Sequence, residues 1–111
     1  MRLKLIENSL VYMIKILKPH MTVGRSRKAD IKINCQHTSG IHCSFRFDST
    51  QGLFVQDEGS MNGTFVNESA ISQENKVYIG DIIRVGTVTI EIDPNKLSRR
   101  ELAITSKNPP Q

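Results

Sequence analysis

The stretch that decides the fold runs from residue 23 to residue 65 and contains three polar turns: VGRSRKADIKI (23–33), HTSGIHCSF (37–45) and DEGSMNGTF (57–65). Each turn is rich in Gly, Ser, Asn or Asp and lies next to short apolar segments. Such clusters predict loops, and the alternation of apolar and polar residues beside them predicts strands. The three turns therefore belong to loops of a β-rich domain.

Alternation with a period of two residues continues outward from this stretch, as in Leu3 and Leu5 or in Cys43, Phe45 and Phe47. Many short strands separated by close turns predict an antiparallel β-sandwich or barrel. The predicted strands are residues 2–6, 10–17, 31–33, 43–47, 53–55, 64–66, 77–79, 82–85 and 87–92.

The C-terminal segment contains the one candidate helix. Asp93 is a good N-cap and Pro94 a good first helical residue, so a helix is expected over residues 93–97. Residues 105–111 are expected to fray. We accordingly expect a β-sandwich over residues 1–93, with its motifs in 23–92, and a basic extension over 94–111.

The charge lies mainly in that extension. The chain of 111 residues, one domain by its size, has 15 Lys and Arg against 11 Asp and Glu. Residues 94–111 hold four of the cations and one of the acids, a net +3, which leaves +1 for residues 1–93. A nucleic-acid-binding domain concentrates positive charge on its fold and offers aromatic residues for stacking. The sequence therefore argues against nucleic acid as the partner.

Cofactors, metals and membranes are not expected either. Cys35 and Cys43 are eight residues apart without the spacing of metal ligands, and they are interpreted as reduced, intracellular thiols. The longest apolar run near the N-terminus covers residues 10–14, which is too short for a membrane span. No Walker-type glycine loop is present, and no carboxylate stands in an evident motif with Ser39 and His42, so an enzyme is not expected.

The first two turns contain side chains that suit an anion. Arg25, after the turn residue Gly24, has a planar fork that matches phosphate oxygens, although most surface arginines are simply solvated. Thr38 and Ser39 offer hydroxyl donors, and Gly40 can turn successive N–H groups towards an anion, but all three are also ordinary turn residues.

Two further residues have both a functional and a structural interpretation. His42 opens a strand, where a lone His is more often hydrogen-bonded within the fold than catalytic. Asn62 precedes Gly63 in an Asn-Gly pair, which is a strong hairpin-turn signal. Its amide also has the donor and acceptor needed to pair with the backbone of an extended peptide.

In this order, Gly-Arg, Ser-x-x-His and Asn-Gly-Thr within β-rich sequence resemble the forkhead-associated (FHA) domain family. Residues 23–67 carry the resemblance most tightly, residues 77–92 resemble the family's closing hairpin, and roughly residues 10–93 are covered. The resemblance implies an all-β antiparallel sandwich of about eleven strands. It also implies that loops at one end bind phosphothreonine peptides.

The resemblance assigns roles residue by residue. Arg25 is expected to face the phosphate or brace its loop, and Ser39 to bond the phosphate, with Thr38 and Gly40 beside it. Asn62 is expected to bond the peptide backbone. The supporting residues are Gly24, His42, Gly63 and Thr64.

Two positions depart from the family pattern. Gly40 stands where a Lys, Arg or Asn is usual, and Met61 stands where a Ser or Thr is common. Both departures remove donors, for which His37, Thr38, Arg27 or Lys28 could compensate. An FHA-like domain that binds proteins without phosphate therefore stays open as the alternative, and a small basic nucleic-acid binder is the third hypothesis.

By the same resemblance, the expected partner is a phosphothreonine-containing protein. The expected setting is signalling, the DNA damage response or the cell cycle, in an intracellular and specifically nuclear location. The sequence does not indicate the oligomeric state.

Overall fold

The computed structural model describes residues 1–107, which form two β-sheets that share one apolar core, and one short helix. The eleven strands confirm the predicted β-sandwich. They are β1 (Arg2–Glu7), β2 (Leu10–Lys15), β3 (His20–Gly24), β4 (Ile31–Lys32), β5 (Cys43–Asp48), β6 (Gly52–Asp57), β7 (Thr64–Val66), β8 (Ser69–Ala70), β9 (Asn75–Val77), β10 (Ile83–Val85) and β11 (Val88–Ile92).

The strand order fixes which loops meet. One sheet has the order β2-β1-β11-β10-β7-β8 and the other has the order β4-β3-β5-β6-β9. The pairs are antiparallel except β3–β4, which is parallel. The β3–β4 and β4–β5 connections leave one sheet, and the β6–β7 connection crosses between the two sheets. These three connections contain the three polar turns of the sequence.

The core follows the alternation in the sequence. Leu3 and Leu5 of β1 are buried, as predicted, opposite Ile92 and Ile90 of β11. Phe45 of β5 is the largest fully buried side chain. Burial of apolar area contributes roughly 25 cal/mol per Å², so these inward positions provide most of the stability. The buried apolar side chains from both sheets are Leu3, Leu5, Met21, Val23, Ile31, Ile33, Cys35, Cys43, Phe45, Leu53, Val55, Val66, Val77, Ile83, Val85, Val88, Ile90 and Ile92.

Two hairpins have two-residue turns without glycine. Asn8 and Ser9 connect β1 to β2 with φ of 50° and 68°, and Asn67 and Glu68 connect β7 to β8 with φ of 50° and 70°. Positive φ at both positions is the geometry of a type I′ turn, which matches the twist of the paired strands. Asn tolerates the left-handed region better than other non-glycine residues, so each turn begins with the better-suited residue.

The predicted helix at residues 93–97 is wrong. The Asp93 carboxylate accepts hydrogen bonds from the Asn95 backbone and side chain and forms an ion pair with Arg2 at 2.9 Å. Lys96 then has φ of 61°, which no helix accommodates. The helix α1 instead spans Arg99–Thr105 and begins at Ser98 with a capping box.

The helix returns the chain to the sandwich. The Ile79 N–H donates to the Thr105 carbonyl at 2.7 Å, and Lys107 forms an ion pair with the buried Asp81 at 3.0 Å. Thr105 is buried, contrary to the expectation that fraying starts there. The rest of that expectation, residues 108–111, lies outside the described residues. No helix of residues 1–107 is long and apolar enough to cross a membrane.

Two strands were not predicted, and one was predicted at a shifted position. Strand β3 was missed because Lys18, Pro19 and His20 have turn-like composition, and β8 is only two residues long. Strand β9 ends at Val77, where the predicted strand began, because Tyr78 N–H donates to the Asp81 carboxylate in a turn.

A close approach of backbone explains Gly24, which ends β3. A Cβ atom on Gly24 would lie 2.0 Å from the Gly40 carbonyl oxygen and 2.9 Å from the Ile41 Cα. The Arg25 N–H donates to the Ser39 carbonyl, and the Ser26 N–H donates to the Gly40 carbonyl, each at 3.0 Å. Gly24 is therefore required because there is no space for a side chain at this position. It is not required for the backbone freedom that the sequence suggested.

We expect Gly24→Ala to lower the free energy of unfolding by about 3 kcal/mol or more, because the clash is with backbone that two hydrogen bonds hold in place. Chemical denaturation measures the loss. The matched control is Gly40→Ala, where a Cβ would meet only the Ser26 Cβ at 3.8 Å. Equal stability of the two variants would contradict this account of the contact.

Candidate functional site

Three loops meet at one end of the sandwich: residues 25–30 (loop A), residues 33–42 (loop B) and residues 58–63 (loop C). Loops A and B are joined by the backbone bonds from Arg25 and Ser26. Loops B and C are joined by the Met61 N–H, which donates to Ser39 Oγ at 3.0 Å, and by Asn62 Nδ2, which donates to the His37 carbonyl at 2.9 Å. The structure therefore brings together the loops that carry Arg25, Ser39 and Asn62.

His42 is fully buried and holds the loops in place. Its Nε2 lies 2.7 Å from the Gly63 carbonyl oxygen, which only accepts, so Nε2 carries the proton and donates. Its Nδ1 accepts from the Ser39 N–H at 3.1 Å. The His42 backbone N–H donates to the Val23 carbonyl, and its carbonyl accepts from the Glu58 N–H. Neutral His42 thus links β3 with loops B and C through hydrogen bonds of its ring and its backbone.

The Ser39 hydroxyl is partly exposed and has one proton to donate. Its oxygen already accepts from the Met61 N–H. Because the Ser39 N–H, and not the hydroxyl, contacts His42, the two side chains are not arranged as a nucleophile and its base. The geometry leaves the hydroxyl proton for a bound acceptor.

Asn62 and Met61 form the exposed tip of loop C. Asn62 uses one amide hydrogen on the His37 carbonyl. Its Oδ1 and second amide hydrogen have no partner among residues 1–107, so they are available to an incoming backbone. Met61 has 90% of its surface exposed. Its contact with the rest of the site is through its backbone N–H, which donates to Ser39 Oγ.

Asp57 organises loop C from its base. Its carboxylate accepts hydrogen bonds from the Gly59 N–H, from the N–H and hydroxyl of Ser60, and from the Thr64 hydroxyl. Burial works to raise the pKa of Asp57, but these hydrogen bonds outweigh it and the pKa lies below the ordinary value. Sequence reasoning missed Asp57, although an Asp three residues before a Ser in a glycine-rich turn is a recognisable loop-capping pattern.

Two supporting residues next to Asp57 have definite structural roles. Gly63 has φ of 87°, a conformation that favours glycine. Its carbonyl oxygen accepts the hydrogen bond from His42 Nε2. Thr64 is fully buried, and its hydroxyl donates to Asp57 at 2.7 Å. Both residues therefore form part of the base of loop C.

Thr38 differs from its predicted placement, and Gly40 differs from the backbone role suggested for it. Thr38 is only 2% exposed and its hydroxyl is buried, so this side chain is not available to a ligand. Gly40 is exposed, but its φ lies outside the left-handed region and the space around it is open. Gly40 is therefore not required for backbone conformation.

Loop A provides the positive charge. Arg25, Arg27 and Lys28 are exposed, and none forms an ion pair with another residue of 1–107. The acid of the loop, Asp30, is bound elsewhere: hydrogen bonds from Lys18 and the Thr22 N–H lower its pKa to about 2. Three cations of loop A therefore remain for an anionic ligand.

No group of three His, Cys, Asp or Glu side chains within residues 1–107 could hold a metal ion. Cys35 and Cys43 are both buried and unpaired. Burial chiefly raises the pKa of the Cys43 thiol, so it stays protonated.

Comparison with known proteins identifies the same region. The family described as "FHA domain" matches residues 21–86, more than half of the chain. The FHA domain-containing protein FhaB of Mycobacterium tuberculosis, in two strains, is 25% identical over 81 residues, which are 73% of this chain and 52% of that protein. The chain thus spans about half the length of the curated relatives it matches.

Solved structures show the same architecture. The FhaA FHA domain, complexed with the intracellular domain of Rv3910, superimposes with a TM-score of 0.73 at 28% identity, over 81% of this chain and 96% of that one. A structure from a study of phosphothreonine-dependent FHA domain interactions gives 0.67 at 25% identity, over 85% and 99%. The Slr1951 protein from Synechocystis gives 0.73 at 26% identity, over 81% and 93%.

We expect Asp57→Asn to lower the free energy of unfolding by about 1–3 kcal/mol near neutral pH, because bonds to a charged acceptor become bonds to a neutral one. Since folding lowers the pKa of Asp57, its contribution is complete above the ordinary value of 3.8 and is lost as the pH falls through the lower, folded value. Denaturation of both proteins at about pH 7 and about pH 3 should show the difference shrinking in acid.

Asp48→Asn is the matched control. Asp48 makes equivalent bonds to Thr50 and Gln51 in the β5–β6 turn, away from loops A, B and C. Both variants should lose stability in the same pH-dependent way, but only Asp57→Asn should change ligand binding at the loops. A difference that stays constant with pH would show that Asp57 acts through something other than its charge.

Proposed function

Because the chain belongs to the FHA domain family, whose pattern matches residues 21–86, we propose that it binds phosphothreonine-containing proteins through loops A, B and C. One observation carries the proposal. His42 holds the hydroxyl donor Ser39, and the His37 carbonyl holds the Asn62 amide, on loops that meet a loop A whose cations have no acidic partner among residues 1–107. The phosphothreonine-dependent interactions studied for a similar FHA domain support it.

In the proposed complex the phosphate lies between loops A and B. The Ser39 hydroxyl donates to one phosphate oxygen, and Arg25 supplies a charge-assisted bond, with Arg27 or Lys28 adding long-range attraction. Hydrogen bonds to charged groups contribute about 1.5–3 kcal/mol each. Two of them are enough to make binding depend on the phosphate.

Asn62 provides the second half of recognition. Its free amide hydrogen and Oδ1 pair with the backbone of the peptide beside the phosphothreonine. This contact reads an extended chain and not a side chain, so it holds the peptide against the domain whatever its sequence. The peptide must therefore come from an exposed, extended segment of its protein.

The biological setting is proposed only in coarse terms. The chain acts inside the cell in signalling, by recruiting proteins that a threonine kinase has modified. The curated relatives come from a bacterium, so they give no support to the nuclear location, or to the roles in the DNA damage response and the cell cycle, that were expected from the sequence.

The alternative, binding of a partner without phosphate, is favoured by Gly40 and Met61, which remove two donors. A peptide library with phosphothreonine, phosphoserine and unmodified threonine at one position, and random flanks, distinguishes the two. The proposal expects retention of the phosphothreonine arm only. Equal retention of the unmodified arm would favour the alternative.

We expect Ser39→Ala to weaken phosphothreonine-peptide binding by about 1.5–3 kcal/mol, because a donor to the phosphate is lost. The same change removes the acceptor of the Met61 N–H, so stability should fall by about 0.5–1.5 kcal/mol. Titration calorimetry and thermal unfolding measure the two effects. Ser49→Ala, in the exposed β5–β6 turn, is the control and should change neither quantity. Unchanged affinity in Ser39→Ala would remove the direct contact from the proposal.

We expect Gly40→Lys to strengthen binding of the phosphothreonine peptide by about 1–2 kcal/mol, because the loop gains a cation beside the phosphate. The backbone accepts the change, since Gly40 has open space and an ordinary φ. Gly40→Ala is the control and should stay within about 0.5 kcal/mol of wild type in stability and affinity. Raised salt should reduce the gain. Equal affinity of both variants would place the phosphate away from loop B.

A further inference from the structure

The edge strand β2 exposes an uncharged apolar run. Leu10, Val11, Tyr12 and Met13 have 59%, 54%, 46% and 48% of their surface exposed, and no charged residue occurs from Leu10 to Ile14. Single exposed apolar residues are ordinary. Four in succession on a sheet edge are not, because the edge also presents unpaired N–H and C=O groups that favour pairing with another strand.

The other sheet edges among residues 1–107 lack this combination. Strands β4 and β8 have two residues each, and β9 has three and includes Lys76. Short or charged edges resist pairing. Of the four edges in the described part of the chain, β2 alone is six residues long with an uncharged centre.

The hydrogen-bond pattern shows which backbone groups of β2 are unpaired. The Ile16 N–H donates to the Met1 carbonyl, just beyond the β1–β2 ladder. Because partners alternate along an antiparallel ladder, the even-numbered residues of β2 bond to β1. The N–H and C=O groups of Val11, Met13 and Lys15 therefore point outward.

We propose that this edge pairs with β2 of a second copy of the chain, antiparallel and about a two-fold axis. Residues opposite each other in an antiparallel pair lie on the same face of the sheet. The outward N–H and C=O groups of Val11 in one copy must bond to those of Met13 in the other copy, and the reverse. One register meets both conditions and places all of the uncharged run Leu10–Ile14 opposite the same run of the second copy. In this register Tyr12 lies opposite Tyr12. Leu10 then lies opposite Ile14.

A second copy suits this edge because its own uncharged run, Leu10–Ile14, brings no charge against the same run of the first copy. Tyr12 and Ile14 lie beside the buried Leu5 and Leu3 on the core side of the sheet, and Val11 and Met13 lie on the other side. A groove of about 460 Å³ between β2 and β4 is lined in part by Tyr12, Ile14 and Ile31, and it is also bordered by charged side chains, those of Glu7, Asp30 and Lys32. It provides room for core-side apolar side chains of the second copy.

The pairing closes on itself. Each copy has one β2, and an isologous contact uses that edge in both copies, so association stops at the dimer. None of the residues proposed to bind phosphopeptide lies on β2. Phosphopeptide affinity therefore reports whether a β2 variant is folded, independently of whether it is a dimer.

Sedimentation of the 111-residue chain from low to high micromolar concentration tests the dimer. Wild type should approach twice the monomer mass. The double variant Val11→Lys, Met13→Lys should remain monomeric, because four lysines would face one another across the axis. It should keep the wild-type phosphopeptide affinity, which shows that it is folded. If no peptide binds, the wild-type Tm serves as the folding control. The control, Ser69→Lys with Ala70→Lys on β8, adds the same charge to another edge and should dimerise like wild type. A wild type that stays monomeric, larger assemblies, or a β2 variant that still dimerises would overturn the proposal.

A cysteine placed at the axis tests the register. In Tyr12→Cys the two thiols would lie directly opposite in a non-hydrogen-bonded pair, close enough for a disulfide. Mild oxidation should convert it to a covalent dimer. Leu10→Cys, which would face Ile14, is the control and should cross-link at least ten-fold more slowly. Cys35 and Cys43 are buried and contribute little background. Equal rates for the two variants would overturn the proposed register.

Discussion

The hydrogen bonds of His42 are the interaction on which the binding end of this domain depends. One buried residue bonds to β3 and loop C with its backbone and to loops B and C with its ring. Loops of this length would otherwise sample many conformations, each at a cost in entropy on binding. The ring can form both bonds only as the tautomer that is protonated on Nε2, so the position of a single proton sets the geometry of the Ser39 and Gly63 backbones.

This arrangement separates support from recognition. The polar groups that support the loops bond to one another: His42 with Gly63, and Asp57 with Ser60 and Thr64. The groups left over, on Ser39, Asn62 and the cations of loop A, are those with partly unused donors. At Ser39 and Asn62 a ligand therefore meets donors that hydrogen bonds already hold in place, so little ordering of these two groups remains to be done on binding.

The sequence pattern predicted those features that neighbouring residues determine. The inward faces of β1 and β5 follow from alternation, and the candidate site was predicted from the family resemblance that Arg25, Ser39 and Asn62 carry. Tertiary contacts decided the rest. Asp93 has the residue type of a helix cap, but Arg2, distant in sequence, draws its carboxylate into an ion pair. Thr38 is in a turn-rich segment, yet its side chain packs inward beside Gly86, which no short motif reveals.

Gly24 and Gly40 show that the role of a glycine in a motif can be assigned only from the structure. In sequence, both are turn glycines on loops that contact one another. In the fold, Gly24 has no room for a side chain because the Gly40 carbonyl occupies that space, whereas Gly40 has open space in front of it. The close packing of the two backbones thus constrains one partner completely and leaves the other free to vary. Gly40 is therefore a position where the side chain can change without any change in the fold.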